Sequence, residues 1–383
     1  MDPSTQTSPS NRLIVLQEQP YNAEPDTAAL VAQPYTPDEL IYCRNHSPIQ
    51  SLDAATFTVS VGGLVQNALQ FRLDELKRIF PRIEVVAALQ CAGNRRKVMG
   101  ERKERNVDGV KWNEGVICNV KWAGISMRQL LLAAGVHPPD DRPLDLCMGS
   151  HVAACSDDNW FGTSIPLDKA MDEDGDVILA YEMNGHPLTP EHGYPFRIVV
   201  PGYTGVRWVK WVDSIIVSDR EPDNFYHKRD YKVLPEEVAT RDQAHSGCWW
   251  SKTKPLQFNP LNSVVASVSH CSAPTPSLFV KGYAMKGSGG QVKTVEVTAD
   301  CGRTWHKAGI TYQEGRWSWT LWEVLIDVSS GITPERVWCR AIDESGGIQP
   351  ADSSWNLRGL AYCGYGEKDL TKFEGNVGRD CRL

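Results

Sequence analysis

The chain has 383 residues, enough for two domains with cores of their own. Its 40 basic against 47 acidic side chains leave a net charge of −7, so there is no cationic surplus to displace counterions from a nucleic acid. No apolar run is long enough to span a bilayer and no secretory leader pattern is visible, which excludes a membrane span and points to a reduced intracellular compartment.

Residues 1–38 are polar and punctuated by proline, and read as a flexible arm. From 39 to 245 short apolar runs alternate with helical patterns, as expected for a mixed α and β domain. Within it, 57–61 alternates as a half-buried strand, and 73–79 spaces its apolar residues along one helix face. Residues 127–134 read as a second helix, with Ser126 as N-cap and Gly135 as its end. The run 197–200 reads as a buried strand stopped by Pro201-Gly202.

Between 252 and 366 the segments 263–270, 277–285, 292–299, 315–328 and 335–343 are β-branched and aromatic. The turn residues that separate them mark an all-β sandwich. Residues 298–305 read as a hairpin with a packed Trp305, and 287–290 as a flexible hairpin tip. Trp317, Trp319 and Trp322 are expected to pack the sandwich or a subunit contact. The fold class is therefore α+β, with a C-terminal tail over 367–383.

Eleven cysteines are scattered singly without a CxxC pair, so neither a zinc ribbon nor a dithiol redox motif is present. Cys91 stands out in Leu89-Gln90-Cys91-Ala92-Gly93-Asn94-Arg95-Arg96. Small neighbours leave its sulfur sterically open, and two guanidiniums shortly after it favour the thiolate. Arg95, Arg96, Lys97, Arg102, Lys103 and Arg105 form a basic island in an acidic chain, the pattern of a small-anion site.

An ordered set of segments then resembles one family. It comprises Tyr42–His46, Leu89–Arg96, Trp122–Gly124, Gly162–Leu167, Ala180–Gly185, His192–Pro195, Arg197–Gly202, Val209–Trp211, Arg229–Lys232 and Trp355–Gly359. Together they resemble the sulfite oxidase family of molybdenum-cofactor enzymes, in its haem-free plant-type form. The resemblance implies a molybdopterin dithiolene holding molybdenum, with Cys91 as the one protein ligand to the metal. It places Tyr42, Arg44, Asn45, His46, Asp158, His192, Arg197 and Lys210 around the pterin and its phosphate. Arg44, Arg96, Arg358, Trp112 and Tyr231 fall in or near a sulfite pocket. It further implies oxygen-atom transfer to sulfite, dioxygen as electron acceptor, an immunoglobulin-like dimerisation domain, a homodimer, and no haem, since only about 38 residues precede the cofactor domain.

Nitrate-reducing relatives tend to carry Met where Arg358 stands, and to lack the tyrosine of the Arg229-Asp230-Tyr231-Lys232 motif. A nitrate reductase-like enzyme and a non-catalytic dimeric scaffold are the competing expectations. The pattern is broken at Asp108, where the family commonly has lysine. An acid there lowers the positive potential of the pocket unless Lys103 or Lys111 compensates. It is broken again over Leu360–Tyr365. The terminal Cys381-Arg382-Leu383 is close to a peroxisomal address.

Overall fold

The computed structural model describes residues 13–136, 142–272, 275–329 and 334–371. Two five-stranded sheets build the first domain. One runs His186–Pro187, Ile178–Met183, Ile117–Ser126, Ile83–Gln90, with Arg197–Val199 also paired to Ile178–Met183. Its pairings are antiparallel, and Cys91 follows directly on the strand Ile83–Gln90. The other runs Leu69–Phe71, Val59–Gly63, Ser214–Ser218, Asp145–Ser150, Phe161–Pro166. Its Ser214–Ser218 strand pairs in parallel with Val59–Gly63. A large apolar core joins both sheets to the helix Met127–Ala133, which buries Met127, Leu130 and Leu131. The expected capping is present: Ser126 Oγ accepts from Gln129 N at 3.4 Å, and Gly135 adopts a φ of +77°.

Two four-stranded antiparallel sheets form the C-terminal sandwich around an aliphatic core of Val265, Val280, Val295, Val337 and their neighbours. The short strands His306–Lys307, Gly309–Gln313 and Gly366–Asp369 carry too little alternation to be seen in the sequence. The 298–305 turn forms as expected, with Asp300 Oδ1 accepting from Thr304 N at 2.8 Å, and Trp305 packs under the Arg340 guanidinium at 4.1 Å.

Four expectations are corrected. Residues 13–38 are no free arm: Leu13–Gln17 and Asn22–Pro25 pair as a hairpin, and Leu30 is fully buried. Buried Glu24 accepts from Asn113 N at 2.8 Å, Asn113 Nδ2 at 2.7 Å and Gly115 N at 3.0 Å, which anchors the hairpin on the first domain. The 287–290 tip is pinned, because a Cβ at Gly289 would lie 2.2 Å from the Trp317 ring. Trp317 itself joins the two domains: its Nε1 donates to Asp176 at 2.6 Å and its carbonyl accepts from Ala88 N at 2.9 Å. Among the described cysteines nine are free thiols, and Cys271 is disulfide-bonded, against the expectation of a fully reduced set.

The basic island also resolves differently. Arg102 pairs with Glu367, Lys103 with Asp352, and Arg105 with Glu236 while covering the Trp355 ring at 3.7 Å. Arg95, completely buried, donates from Nη1 to Asn262 Oδ1 at 2.9 Å and Gly364 O at 2.6 Å. Its Nη2 donates to Tyr365 O at 2.7 Å, and its Nε lies 3.3 Å from Glu114. Most of the island therefore docks one domain on the other, and the Leu360–Tyr365 segment is the surface that receives Arg95. Removing one partner of a buried ionic network strands the rest, at a cost of about 3–5 kcal/mol. Arg95→Ala should lower unfolding stability by that order in denaturant titration. A loss below about 1 kcal/mol would show that Arg95 does not hold the joint.

Candidate active site

Cys91 is placed by the end of a strand and the start of a short helix. Cys91 N donates to Val116 O at 3.0 Å, Asn94 N donates back to Cys91 O at 3.1 Å, and Sγ accepts from Gly93 N at 3.4 Å. Arg95 then adopts a left-handed φ of 67°, and the helix Arg96–Arg102 begins. That reversal sends the two neighbouring guanidiniums apart, Arg95 into the C-terminal domain and Arg96 alongside the cysteine turn.

Arg96 is threaded between glycines. A Cβ at Gly93 or at Gly109 would lie 2.7 Å from its guanidinium nitrogens, and one at Gly359 would lie 2.6 Å from its Cγ. Its Nε donates to Arg358 O at 2.8 Å and its Nη1 to Val110 O at 2.9 Å. Arg96 thus stands behind the pocket wall and ties together the two loops that form the mouth. Burial, reinforced by Arg358, lowers its pKa to about 10.

Beside Cys91 lies a partly enclosed cavity. It brings together Tyr42, Arg44, Asn45, His46, Cys91, His192, Arg197, Lys210 and Tyr231. Among the described residues no carboxylate lines it. Lys210 Nζ reaches Asn45 Oδ1 and donates to Glu191 O at 2.7 Å, and Arg197 Nη1 donates to His192 O at 3.1 Å while its guanidinium covers Trp122 at 4.7 Å. Arg197 Nε is buried without a partner. Burial lowers Lys210 to about 7 and Arg197 to about 10, and holds His46 and His192 well below the usual histidine range, so both imidazoles are neutral. Burial pushes the Tyr231 phenol up to about 12, against the pull of Arg44, and its hydroxyl is 2.9 Å from His46 Nε2.

A wider, more open basin of about 1320 Å³ shares Arg44 and His46 with this cavity and forms its mouth. Arg358 lines the mouth and pairs with buried Asp230 at 2.5 Å. Asp108 also lines it, and among the described residues its ion pair is made with neither Lys103 nor Lys111. Its partner is Arg241, with Nε donating to Asp108 Oδ2 at 2.9 Å. Lys111 is used by Val107 O and Asn106 Oδ1, and Lys103 by Asp352.

Two expected site residues lie elsewhere. Trp112 is wholly buried beside Gly93 and outside both cavity walls. Asp158 spends its carboxylate on Asn159 N, Asn224 Nδ2 and Phe225 N at 2.7–3.1 Å, fixing the loop ahead of Tyr231 rather than facing the cavity. Asp230 and Arg241 were overlooked. Asp230 lies inside the Arg-Asp-Tyr-Lys motif, but nothing local marks Arg241.

The donors present fit a molybdopterin cofactor. Three cations, an unsatisfied arginine N–H and no acid would hold its phosphate, and Cys91 supplies a thiol in the same wall. Among the described residues no three His, Cys, Asp or Glu side chains cluster as a metal site, and Cys91 would offer its thiolate to a metal whose remaining ligands the cofactor would supply.

Lys210 gives this a pH signature. Its pKa falls from 10.5 to about 7 on folding, so between those values the unfolded chain binds the extra proton, and stability of the cofactor-free protein rises with pH across that window. An anion bound beside Lys210 restores the proton. Pyrophosphate binding to cofactor-free protein should therefore take up protons at about pH 8 and weaken as pH rises. Calorimetry in two buffers of different ionisation enthalpy reads this. Lys210→Met should abolish the uptake, and uptake that survives the substitution contradicts the assignment.

Comparison with known proteins identifies the family. Residues 46–226 match the oxidoreductase molybdopterin binding domain, and 255–367 match the Mo-co oxidoreductase dimerisation domain. A sulfite oxidase of Arabidopsis thaliana is 37% identical over 91% of either chain. One of Gallus gallus is 38% identical over 91% of this chain and 75% of its own. An NADH nitrate reductase of Hordeum vulgare is 37% identical over 89% of this chain but only 39% of its own length. The crystal structure of the sulfane dehydrogenase SoxCD from Paracoccus pantotrophus superposes with a TM-score of 0.73 at 27% identity, covering 94% of this chain and 85% of that one. With sequence, fold and site chemistry in agreement, the chain belongs to the sulfite oxidase family of molybdopterin-binding oxidoreductases.

Proposed function

We propose that the protein oxidises sulfite to sulfate, passes the electrons to dioxygen with formation of hydrogen peroxide, and works as a homodimer. The observation that carries the substrate is Arg358: a cation from the C-terminal domain, fixed by Asp230 in the mouth of the Cys91 cavity. Nitrate-reducing relatives tend to carry methionine there. The chain is also 37% identical to the plant sulfite oxidase.

When bound, the cofactor supplies the oxygen atom and accepts two electrons. The chain's own residues do the rest. Arg44 and Arg358 draw a small dianion into the mouth, and Arg44, shared with the inner cavity, carries positive charge up to the cofactor. Asp230 keeps Arg358 from folding away. Tyr231, protonated at neutral pH and bonded to His46, is placed to hold a substrate oxygen and to move a proton. A scaffold without catalysis would have no use for cations buried against a cysteine in a carboxylate-free cavity. Cys381-Arg382-Leu383, outside the described residues, is proposed as a peroxisomal address, which suits a peroxide-forming enzyme.

Anaerobic sulfite should bleach the loaded enzyme, and air should restore it with about one peroxide per sulfite, the balance of a two-electron exchange. Turnover of nitrate with a reduced dye, and none of sulfite, would overturn the reading. Arg358→Met should raise the KM for sulfite roughly tenfold or more, the scale of a lost charge-assisted hydrogen bond. An unchanged KM would remove Arg358 from substrate binding.

A further inference from the structure

Three carboxylates line the mouth, Asp108, Asp157 and Asp230; Asp230 is taken up by Arg358, and Asp108 is the one paired with the exposed Arg241. Asp108 is fixed beside Arg358, its backbone N–H donating to Leu357 O at 2.8 Å. Its carboxylate holds Arg241 by Nε alone, at 2.9 Å. Arg241 opens the helix Arg241–Ser246, its side chain is 51% exposed, and its two Nη groups make no hydrogen bond among the described residues. It lines the mouth and also a smaller cavity of about 260 Å³ behind it, shared with Arg229, Asp230, His245 and Arg358. A guanidinium tethered through Nε keeps its two Nη groups for the oxygens of an incoming oxyanion.

We infer that Arg241 is an outer docking residue for the substrate anion, aimed and partly neutralised by Asp108, and that this pair sets how strongly the mouth draws oxyanions toward Arg358. The inference rests on the sulfite reading and adds a specificity element to it. Because the two members carry opposite charge, their removal has opposite effects, whereas a merely structural ion pair would be weakened by either change. Both are accessible to solvent, so the effect is screened by salt over a Debye length of about 8–10 Å.

The test uses the cofactor-loaded enzyme. At low ionic strength Arg241→Gln should lower kcat/KM for sulfite roughly five- to tenfold, and Asp108→Asn should raise it roughly two- to fivefold. Both differences should shrink below about twofold in half-molar salt. Calorimetric affinity for sulfate should rank the same way, with Arg241→Lys between wild type and Arg241→Gln, and thermal midpoints confirm that each variant is folded. If both variants lose affinity, or neither changes it, the docking role is overturned. A wild type that binds sulfate in the expected ranking yet never oxidises sulfite sinks the sulfite reading and leaves the docking residue standing. A wild type that oxidises sulfite with variants alike sinks the docking residue alone.

Discussion

The site depends on a single backbone reversal. Arg95 and Arg96 are neighbours in sequence, and the left-handed conformation at Arg95 separates their side chains. One guanidinium enters the C-terminal domain and finds Asn262, Gly364, Tyr365 and Glu114, and the other passes between Gly93, Gly109 and Gly359. The Cys91 turn is thereby held from both sides. Arg358, which sits in the mouth, is carried by a loop whose carbonyl is gripped by Arg96. Substrate-facing and cofactor-facing parts of the molecule, from different domains, are referred to the same few atoms. That arrangement explains why a cofactor domain and a sandwich that each have their own core are joined by buried ionic contacts rather than by a linker alone.

Charge is graded along the approach. In the mouth two of the three lining acids are paired with a cation: Asp230 holds Arg358 and Asp108 holds Arg241. In the inner cavity Arg197 and Lys210 make no ion pair with a carboxylate among the described residues, and burial lowers both, Lys210 to about 7. An uncompensated buried cation is unfavourable in the folded chain, and an anionic cofactor relieves it. Cofactor binding and stability are coupled through these side chains, while the paired charges outside leave the mouth open to exchange.

What was legible in the sequence was local. The helix at 127–133 announced itself through Ser126 and Gly135, and the long sandwich strands through β-branched alternation. The cysteine turn was legible because small residues and arginines sit within one segment, and the family resemblance brought Tyr42, His46, His192, Arg197, Lys210 and Tyr231 to one cavity. What failed was non-local. Arg95 reads as an activating charge until Asn262 and Gly364, far along the chain, are in place around it. The island of Arg102, Lys103 and Arg105 reads as an anion site until Glu367, Asp352 and Glu236 meet it. Polar residues 13–38 hide the one acid, Glu24, that three N–H groups anchor. Asp158 has the chemistry of a ligand contact, but a loop backbone claims it first.

We propose that the Cys91 sulfur bonds molybdenum and that sulfate formation requires it. Molybdenum K-edge X-ray absorption on wild type and Cys91→Ser, paired with a sulfate assay, measures it directly. The variant should show one fewer sulfur neighbour at the metal, with the pterin retained by Arg197 and Lys210, and sulfate formation lost. An unchanged sulfur shell together with undiminished sulfate formation would contradict it.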